Sequence, residues 1–142
     1  MLKKSFSLCI SKQIKPYNKV IHVDSDKSIS IRSFLIGAVS HNISEVKNIL
    51  ESEDVFSCID CLRKLGVKIK KIRAKHYVIF GKGIGSLFAK KNTVLDCGNS
   101  GTTARMLIGL LAGQGINATF IGDSSLSSRP MQRILSPLSK MG

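Results

Sequence analysis

The segment that most constrains the fold of this chain is a short apolar strand followed at once by a glycine-containing turn and an apolar helix. Residues 93–95 read TVL, residues 96–105 read DCGNSGTTAR, and apolar side chains then recur with helical spacing at Ala104, Leu107, Ile108 and Leu111. Such a turn leaves backbone N–H groups uncovered beside the positive end of a helix dipole. The segment alone is compatible with a tight turn capped by Ser100 and with a seat for an anion.

The composition favours a globular protein with anionic partners. The 142 residues include 22 lysines and arginines against 9 aspartates and glutamates, giving a net charge of +13, and 43% are hydrophobic. This content suffices for a real core and argues against disorder. The charge is compatible with nucleic acid, an acidic membrane surface, or small phosphorylated and carboxylated molecules. No run approaches the ~20 apolar residues of a membrane span, and the apolar stretch near the start is too short for a signal peptide, so a cytoplasmic protein is expected.

The four cysteines are expected to be reduced and buried; they are Cys9, Cys58, Cys61 and Cys97. Cys58 and Cys61 have the spacing of a metal-binding or redox pair, but the chain has no second pair and no histidine near this one. Cys58 also falls on the apolar face of a predicted helix. Core positions are therefore favoured, and no metal site is predicted.

A second basic segment opens a predicted helix over Lys27–Val39, after a strand at 20–23 and a turn at 24–26 that supplies capping residues. Ser28 and Arg32 are four residues apart and share one face, with Lys27 beside them in the first turn. Two cations in the first turns of a helix oppose its dipole. A bound anion would resolve that conflict, and a solvated basic face is the alternative.

The remaining segments form two modules of similar order. The first module has the order β-α-β-α-β-β, with strands at 20–23, 43–50, 67–73 and 76–80, helices at 27–39 and 53–64, and a further strand before it at 6–10. The second module has a strand at 94–97, a helix to about 112, a strand at 117–121, a turn at 122–125 and a last helix. Pro130 is expected at the first position of that last helix, which is expected to be kinked or to begin afresh at Pro137. The second module lacks the hairpin, so the chain is interpreted as an incomplete repeat and an incomplete protein.

The lysine-rich run from Arg63 to Arg73 raises the alternative of a nucleic-acid surface. However, Val67 and Ile69 alternate with lysines, which is typical of a hairpin with one buried and one wet face. Only Tyr77 and Phe80 offer aromatic rings for stacking on bases. A solvated face is therefore favoured.

Three segments together resemble the signatures of the 5-enolpyruvylshikimate-3-phosphate (EPSP) synthase family. They are residues 26–32 (DKSISIR), 95–105 (LDCGNSGTTAR) and 122–131 (GDSSLSSRPM). Their order and spacing agree as well, and the resemblance runs from about residue 20 to residue 142. Members of this family transfer the enolpyruvyl group of phosphoenolpyruvate to the 5-hydroxyl of shikimate 3-phosphate, releasing phosphate, on the shikimate route to aromatic amino acids.

The resemblance implies an α/β fold of two similar domains, each built from repeated βαβαββ units, that close on the substrates. Residues 1–19 would form a first strand and linker belonging to the other domain, and residues 20–142 part of the N-terminal-side domain, with units at 20–90 and 91–142. It implies a protein that is monomeric at full length and needs no cofactor, metal, nucleic acid or membrane. The family's acid/base carboxylates would lie beyond Gly142, so this chain alone is expected to bind weakly and to be inactive.

The resemblance also implies roles for individual residues. Lys27 would be the catalytic residue and would contact both substrates, while Ser28 and Arg32 would hold shikimate 3-phosphate. Asn99, Gly101 and Arg129 would line the phosphoenolpyruvate site, with Thr102 and Arg105 supporting the loop. These residue types suit the chemistry, because arginine binds phosphate or carboxylate through two parallel hydrogen bonds and a lysine can stabilise charge or move a proton in the reaction.

The chain departs from the family pattern at two places. It has Asp24-Ser25 where the family often has Pro-Gly, and Ile31 where the family often has His, but neither change removes a charged ligand. Gly101, rather than the Ala of some tolerant members, implies sensitivity to glyphosate. The related transferase acting on UDP-N-acetylglucosamine remains an alternative, although it has Asn where Ser28 stands. A small basic nucleic-acid-binding module is the other alternative.

Overall fold

The computed structural model describes residues 23–142 and, before them, the single positions 9, 11, 18 and 20. The strands predicted at 6–10 and 20–23 therefore rest mainly on residues outside the described part. The described part contains, in order, α1 (Lys27–Val39), β1 (Ile43–Lys47), α2 (Glu53–Lys64), β2 (Lys68–Arg73), β3 (His76–Phe80), β4 (Thr93–Asp96), α3 (Gly101–Leu111), β5 (Ala118–Ile121), α4 (Ser124–Ser127) and α5 (Gln132–Met141). A mixed α/β architecture is therefore confirmed.

The strands form two small sheets within the described residues. The first is antiparallel with the order β1-β3-β2, and the second is the parallel pair β4 and β5. In the hairpin of β2 and β3, Ile69 is buried opposite Ile79, whereas the neighbouring Lys68 and Lys70 are exposed. The prediction of a half-buried hairpin with one wet face is confirmed. Tyr77 is only 3% exposed, so its ring cannot serve as a stacking platform.

One core joins the two sheets to the helices. α1 packs against α2 and α3, and Phe34, Leu62 and Leu107 from these three helices have no exposed surface. The ring of Phe34 meets the ring of Tyr77 edge-on, with 5.5 Å between the ring centres. Three long helices that share one core hold their N-terminal turns in fixed relative positions, which is what a site built from those turns requires.

Three predictions for the first half of the described chain need correction. β1 ends at Lys47 rather than at residue 50, because Asn48 has a positive φ of 55° that interrupts an extended strand. Ser52 occupies the N-cap position of α2, but its hydroxyl makes no capping hydrogen bond. Cys9 is exposed, whereas Cys58 and the other two cysteines are buried and free, as predicted.

The C-terminal segment also differs from the prediction. The expected turn at 122–125 is the start of the short helix α4, which forms because the carboxylate of Asp123 accepts a hydrogen bond from the N–H of Leu126. Pro130 precedes Met131, the N-cap of α5, and is not the first residue of that helix. α5 contains Pro137 within its span of Gln132–Met141, so the helix does not begin afresh at that proline.

Glu51 ties the segment before α2 to the β2–β3 hairpin. Its carboxylate pairs with Lys71 Nζ at 2.8 Å and accepts hydrogen bonds from Tyr77 Oη at 2.8 Å and from the N–H of Lys75 at 3.1 Å. These three partners lower the pKa of Glu51 from 4.5 to about 2. Because the pKa is lower in the folded state, the stabilisation is complete above about pH 4.5 and is lost as the pH falls towards 2.

We therefore expect Glu51→Gln to lower the thermal unfolding temperature at neutral pH, with the difference from the parent protein shrinking on acidification. Circular-dichroism melts over this pH range measure the effect. Glu53→Gln is the matched control, because Glu53 is exposed and has no ion-pair partner within the described part of the chain. The prediction is wrong if the unfolding temperatures of the parent protein and Glu51→Gln differ by the same amount at neutral pH and at about pH 2.

Candidate anion-binding site

The first turns of α1, α2 and α3 are linked by side-chain contacts. Lys27 at the start of α1 pairs with Asp54 in the first turn of α2, with 2.7 Å between Nζ and Oδ2. Thr103 in the first turn of α3 lies with its hydroxyl 3.5 Å from the carbonyl oxygen of Asp54. The positive ends of three helix dipoles are thereby gathered in one region, where they favour an anion.

The start of α1 carries the basic face that the sequence predicted. Asp26 caps the helix by accepting from the N–H of Ile29 at 2.7 Å, and Arg32 is exposed one turn further on. The side chain of Lys27 is 46% exposed although it is paired with Asp54. Part of the unfavourable interaction between this cation and the helix dipole is therefore offset inside the protein, and the ammonium group remains accessible to solvent.

The glycine-containing turn before α3 is a tight turn in which Ser100 is the N-cap, and this structure is compatible with an anion bound beside it. The Ser100 hydroxyl accepts from the N–H of Thr103 at 3.2 Å. Gly98 has a positive φ of 53°, and a Cβ on it would lie 2.9 Å from Ser57 Oγ on α2. Glycine is required there both for the backbone conformation and for the close packing of α2 against the turn.

A chain of hydrogen bonds joins this turn to the segment that follows β5. Arg129 donates from Nη2 to Asn99 Oδ1 at 2.7 Å, and Asn99 donates from Nδ2 to Asp123 Oδ2 at 2.6 Å. The other carboxylate oxygen of Asp123 accepts from the N–H of Leu126 at 2.7 Å. Both hydrogen bonds lower the pKa of Asp123, the bond from the Leu126 N–H more than the bond from Asn99. The carboxyl group is therefore ionised at neutral pH.

Two guanidinium groups converge on Gly101, the first residue of α3. A Cβ placed on Gly101 would lie 3.0 Å from Arg105 Nη1 and 3.1 Å from Arg129 Nη1. Neither arginine has a carboxylate within ion-pair distance among residues that the structure describes, and the buried Nε of Arg105 lacks a hydrogen-bond partner there. Two cations beside a helix N-terminus form a strong local attraction for a phosphate or carboxylate group.

The structure brings together some of the predicted site residues and separates others. Asn99, Gly101 and Arg129 form one cluster, and Lys27 is connected to the same region through Asp54 and α3. Arg32 lies further along α1. There, with Arg105, it lines a groove of about 460 Å³ between α1 and α3 whose other lining residues are Leu35, Ile36, Val39, Met106, Gly109 and Leu110.

Sequence reasoning assigned no site role to Asp54 or Asp123. Each was recognised only by its local position, in the first turn of α2 or in the turn after β5. Their contacts with Lys27 and Asn99 span 27 and 24 residues of sequence, and no local pattern signals a contact of that kind. Arg105 was interpreted as a support for the loop, although its guanidinium lies as close to Gly101 as that of Arg129.

The thiols of Cys58 and Cys61 near this site are not available as nucleophiles. Burial raises the pKa of the Cys58 thiol to about 12. The hydrogen bond of Cys61 with Cys97, together with burial, raises the pKa of Cys61, whose thiol also donates to the carbonyl oxygen of Asp96 at 3.2 Å. A thiol held in its protonated form is a poor nucleophile, so Cys58 and Cys61 act as core residues.

Metal-ligating clusters and membrane-spanning helices are both absent from the part of the chain that the structure describes. There, no three His, Cys, Asp or Glu side chains lie close enough together to hold a metal ion. Nor does any helix in that part have the length and apolar character needed to cross a bilayer.

Comparisons with known proteins show which proteins this chain is similar to in sequence and fold. Residues 11–142 match the family model described as EPSP synthase (3-phosphoshikimate 1-carboxyvinyltransferase). A 3-phosphoshikimate 1-carboxyvinyltransferase of Bacillus pumilus is 48% identical over 127 residues, which cover 89% of this chain and 29% of that protein. The enzyme of the same name from Bacillus subtilis is 47% identical over 122 residues, covering 86% of this chain and 28% of that protein. The solved structure of EPSP synthase from Acinetobacter baumannii superposes with a TM-score of 0.79 at 39% identity, over 86% of this chain and 28% of that one.

The fold and the site together define an α/β protein in which basic side chains and helix N-termini surround a glycine-containing turn. The family model matches residues 11–142, which is nearly all of the sequence. The solved structure shares the α/β architecture over 86% of this chain. The chain belongs to the EPSP synthase family. It spans less than a third of the length of the relatives that it matches, from 28% to 31%.

Proposed function

We propose that this chain forms part of an enzyme that transfers the enolpyruvyl group of phosphoenolpyruvate to the 5-hydroxyl of shikimate 3-phosphate and releases phosphate. The observation that carries the proposal is the convergence of the Arg105 and Arg129 guanidinium groups on Gly101, in a chain that belongs to the EPSP synthase family. Both proposed substrates carry phosphate, and phosphoenolpyruvate carries a carboxylate as well. Guanidinium groups beside the N-terminus of a helix match such ligands.

The proposed ligand sets divide between the two basic segments. Ser28 and Arg32 on α1 are assigned to shikimate 3-phosphate, since a hydroxyl and an accessible guanidinium on one helical face suit a phosphate monoester. Asn99, Gly101 and Arg129 are assigned to phosphoenolpyruvate. Support for the second set comes from the hydrogen bond between Arg129 and Asn99, which presents the guanidinium beside the N-terminus of α3.

Lys27 is assigned to both substrates and to catalysis. Its ammonium group is partly exposed, while Asp54 holds it at 2.7 Å across the first turns of two helices. A cation held in place by a neighbouring carboxylate loses little freedom when the substrates bind. It can therefore stabilise charge that develops as the tetrahedral adduct forms and collapses, or move a proton in the same step.

The domain organisation is proposed on the same basis. The described elements α1-β1-α2-β2-β3 and β4-α3-β5-α4-α5 are assigned to two βαβαββ units at 20–90 and 91–142, the second incomplete in this sequence. Residues 1–19 are assigned to a strand and linker of the other domain. The enzyme is proposed to act as a monomer on its two small anionic substrates, without a cofactor.

A fusion protein provides the test of function. The 142 residues are joined in frame to the part of the Bacillus pumilus relative that follows the matched segment, and the product is assayed for phosphate release from phosphoenolpyruvate and shikimate 3-phosphate. Turnover with this acceptor is expected, and the 142-residue chain alone serves as the reference.

Turnover only with UDP-N-acetylglucosamine would assign the chain to the related transferase, and no turnover with either acceptor would refute the proposal. Oligonucleotide binding that weakens with salt, without turnover, would favour the nucleic-acid alternative.

A further inference from the structure

Asp123 makes two contacts that serve different purposes. Oδ1 accepts from the N–H of Leu126 at 2.7 Å and so caps α4. Oδ2 accepts from Asn99 Nδ2 at 2.6 Å, across 24 residues of sequence. A helix cap needs only the first oxygen, and serine or asparagine would supply one equally well. The second contact is therefore not explained by the local structure of α4.

The second contact determines which way the Asn99 amide points. An asparagine amide has a donor end and an acceptor end, and a carboxylate can only accept hydrogen bonds. Asp123 therefore binds the NH₂ end of Asn99, which leaves the carbonyl oxygen facing Arg129 at 2.7 Å. With the amide reversed, the NH₂ group would face the guanidinium, and two donors would oppose each other.

The arrangement also preserves the positive charge of Arg129. Asp123 orients Arg129 through the neutral amide of Asn99, and Nη2 also donates a longer bond to Ser125 Oγ at 3.3 Å, so Nη2 is anchored while Nη1 stays close to Gly101. Among the described residues no carboxylate lies within ion-pair distance of the Arg129 guanidinium, so its charge is not paired directly with an acidic side chain there. Two backbone hydrogen bonds hold together the loops that follow β4 and β5. The N–H of Asp123 donates to Gly98 O at 3.0 Å, and the N–H of Cys97 donates to Ile121 O at 2.9 Å.

We propose that Asp123 is the positioning residue of the phosphoenolpyruvate subsite: it fixes the polarity of the Asn99 amide and, through it, the orientation of the Arg129 guanidinium. The ligand named here rests on the proposed function above. The orientation of Arg129 itself is a property of the protein and does not depend on that function.

Two substitutions separate capping from positioning. Asp123→Ser keeps an N-cap oxygen but cannot also reach Asn99, and Asp123→Asn keeps the cap but turns an NH₂ group towards the NH₂ group of Asn99. The matched control is Ser127→Ala, which removes a hydrogen bond from Ser127 Oγ to Gly122 O at 3.3 Å across the same turn. Unfolding temperatures of all variants report whether the fold is retained.

The first measurement needs no enzymatic activity. In the isotopically labelled 142-residue chain, the side-chain NMR signals of Asn99 and Arg129 are expected to show hydrogen bonding and restricted motion. Asp123→Ser should abolish the hydrogen bonding of the Asn99 amide and increase the motion of the Arg129 guanidinium, which keeps only the longer bond to Ser125 Oγ at 3.3 Å. Both signals should be unchanged in Ser127→Ala. Unchanged Arg129 signals in Asp123→Ser, in a chain that remains folded, would overturn the proposal.

The second measurement uses the fusion protein. Both Asp123 variants are expected to raise the Michaelis constant for phosphoenolpyruvate ~10-fold or more, the usual effect of losing a hydrogen bond to a charged group. The constant for shikimate 3-phosphate should change less than about twofold, since its proposed ligands lie on α1. Equal increases for both substrates would indicate a structural role and overturn the proposal. An inactive parent fusion would refute the proposed function instead, while the NMR measurement would still decide the role of Asp123.

Discussion

Lys27→Met in the fusion protein is expected to lower kcat by roughly 100-fold to 1,000-fold. This is the loss typically seen when one fixed charge-stabilising group is removed from a transition state. Methionine resembles lysine in length and flexibility, so the main change is the loss of the cation. Steady-state kinetics with both substrates measure the effect. Lys91→Met is the control, because Lys91 is exposed and lies in the loop between β3 and β4, outside the candidate site.

The ion pair with Asp54 introduces a second effect that must be separated from the first. Removing Lys27 leaves the carboxylate of Asp54, whose side chain is only 15% exposed, without its partner and near the proposed position of two anionic substrates. The double variant Lys27→Met/Asp54→Asn removes both charges. If the double variant stays as slow as Lys27→Met, the cation itself stabilises the transition state. Recovery of most of the activity would mean that the unpaired Asp54 caused the loss, and near-normal kinetics of Lys27→Met would refute the proposed role.

Gly101→Ala is expected to weaken inhibition by glyphosate by roughly 5-fold to 150-fold, the equivalent of ~1–3 kcal/mol for overcrowding in a packed site. The added methyl group would lie 3.0 Å from Arg105 Nη1 and 3.1 Å from Arg129 Nη1. Both are the ends of flexible side chains, so these guanidinium groups shift while the backbone of α3 stays in place. Glyphosate resembles phosphoenolpyruvate in charge but is slightly longer, so it should lose more affinity than the substrate.

Gly109→Ala on the same helix is the matched control for Gly101→Ala, because a Cβ on Gly109 would meet no atom within 4 Å. The inhibition constant for glyphosate and the Michaelis constant for phosphoenolpyruvate are measured for the parent fusion protein and both variants. A small rise in the Michaelis constant is expected for Gly101→Ala alone. Glyphosate binding of equal strength to the parent and to Gly101→Ala would show that Gly101 does not face the ligand.

Local signals in the sequence were sufficient for the three long helices and the hairpin. α1 spans the predicted residues 27–39, α2 follows the predicted N-cap residue Ser52, and α3 follows Ser100. Helix periodicity, capping residues and the strand alternation of β2 are set by residues within one or two turns of each other, so they can be recognised without the fold. The family resemblance was also present in the sequence, and the match over residues 11–142 confirms it.

The segment after β5 was predicted less well because its structure depends on distant partners. The residues of α4 suggested only a turn, and Pro130 suggested the start of a helix that in fact begins at Gln132. The N–H of Asp123 bonds to Gly98 O, and its side chain bonds to Asn99. These contacts exist only because β4 and β5 run parallel, with Asp96 beside Ile121, so that the turns after both strands meet at one edge.

The sequence by itself determined which basic and small residues are present, which helices begin beside them, and the family to which the chain belongs. Only the tertiary structure decided that Asp54 holds Lys27, that Asp123 bonds to the Asn99 amide, and that Arg129 bonds to Asn99 beside Gly101. The physical reason is distance along the chain. A cap or an apolar stripe is stabilised by near neighbours, whereas these contacts join residues 24 to 30 positions apart and form only when the helices and strands between them have packed.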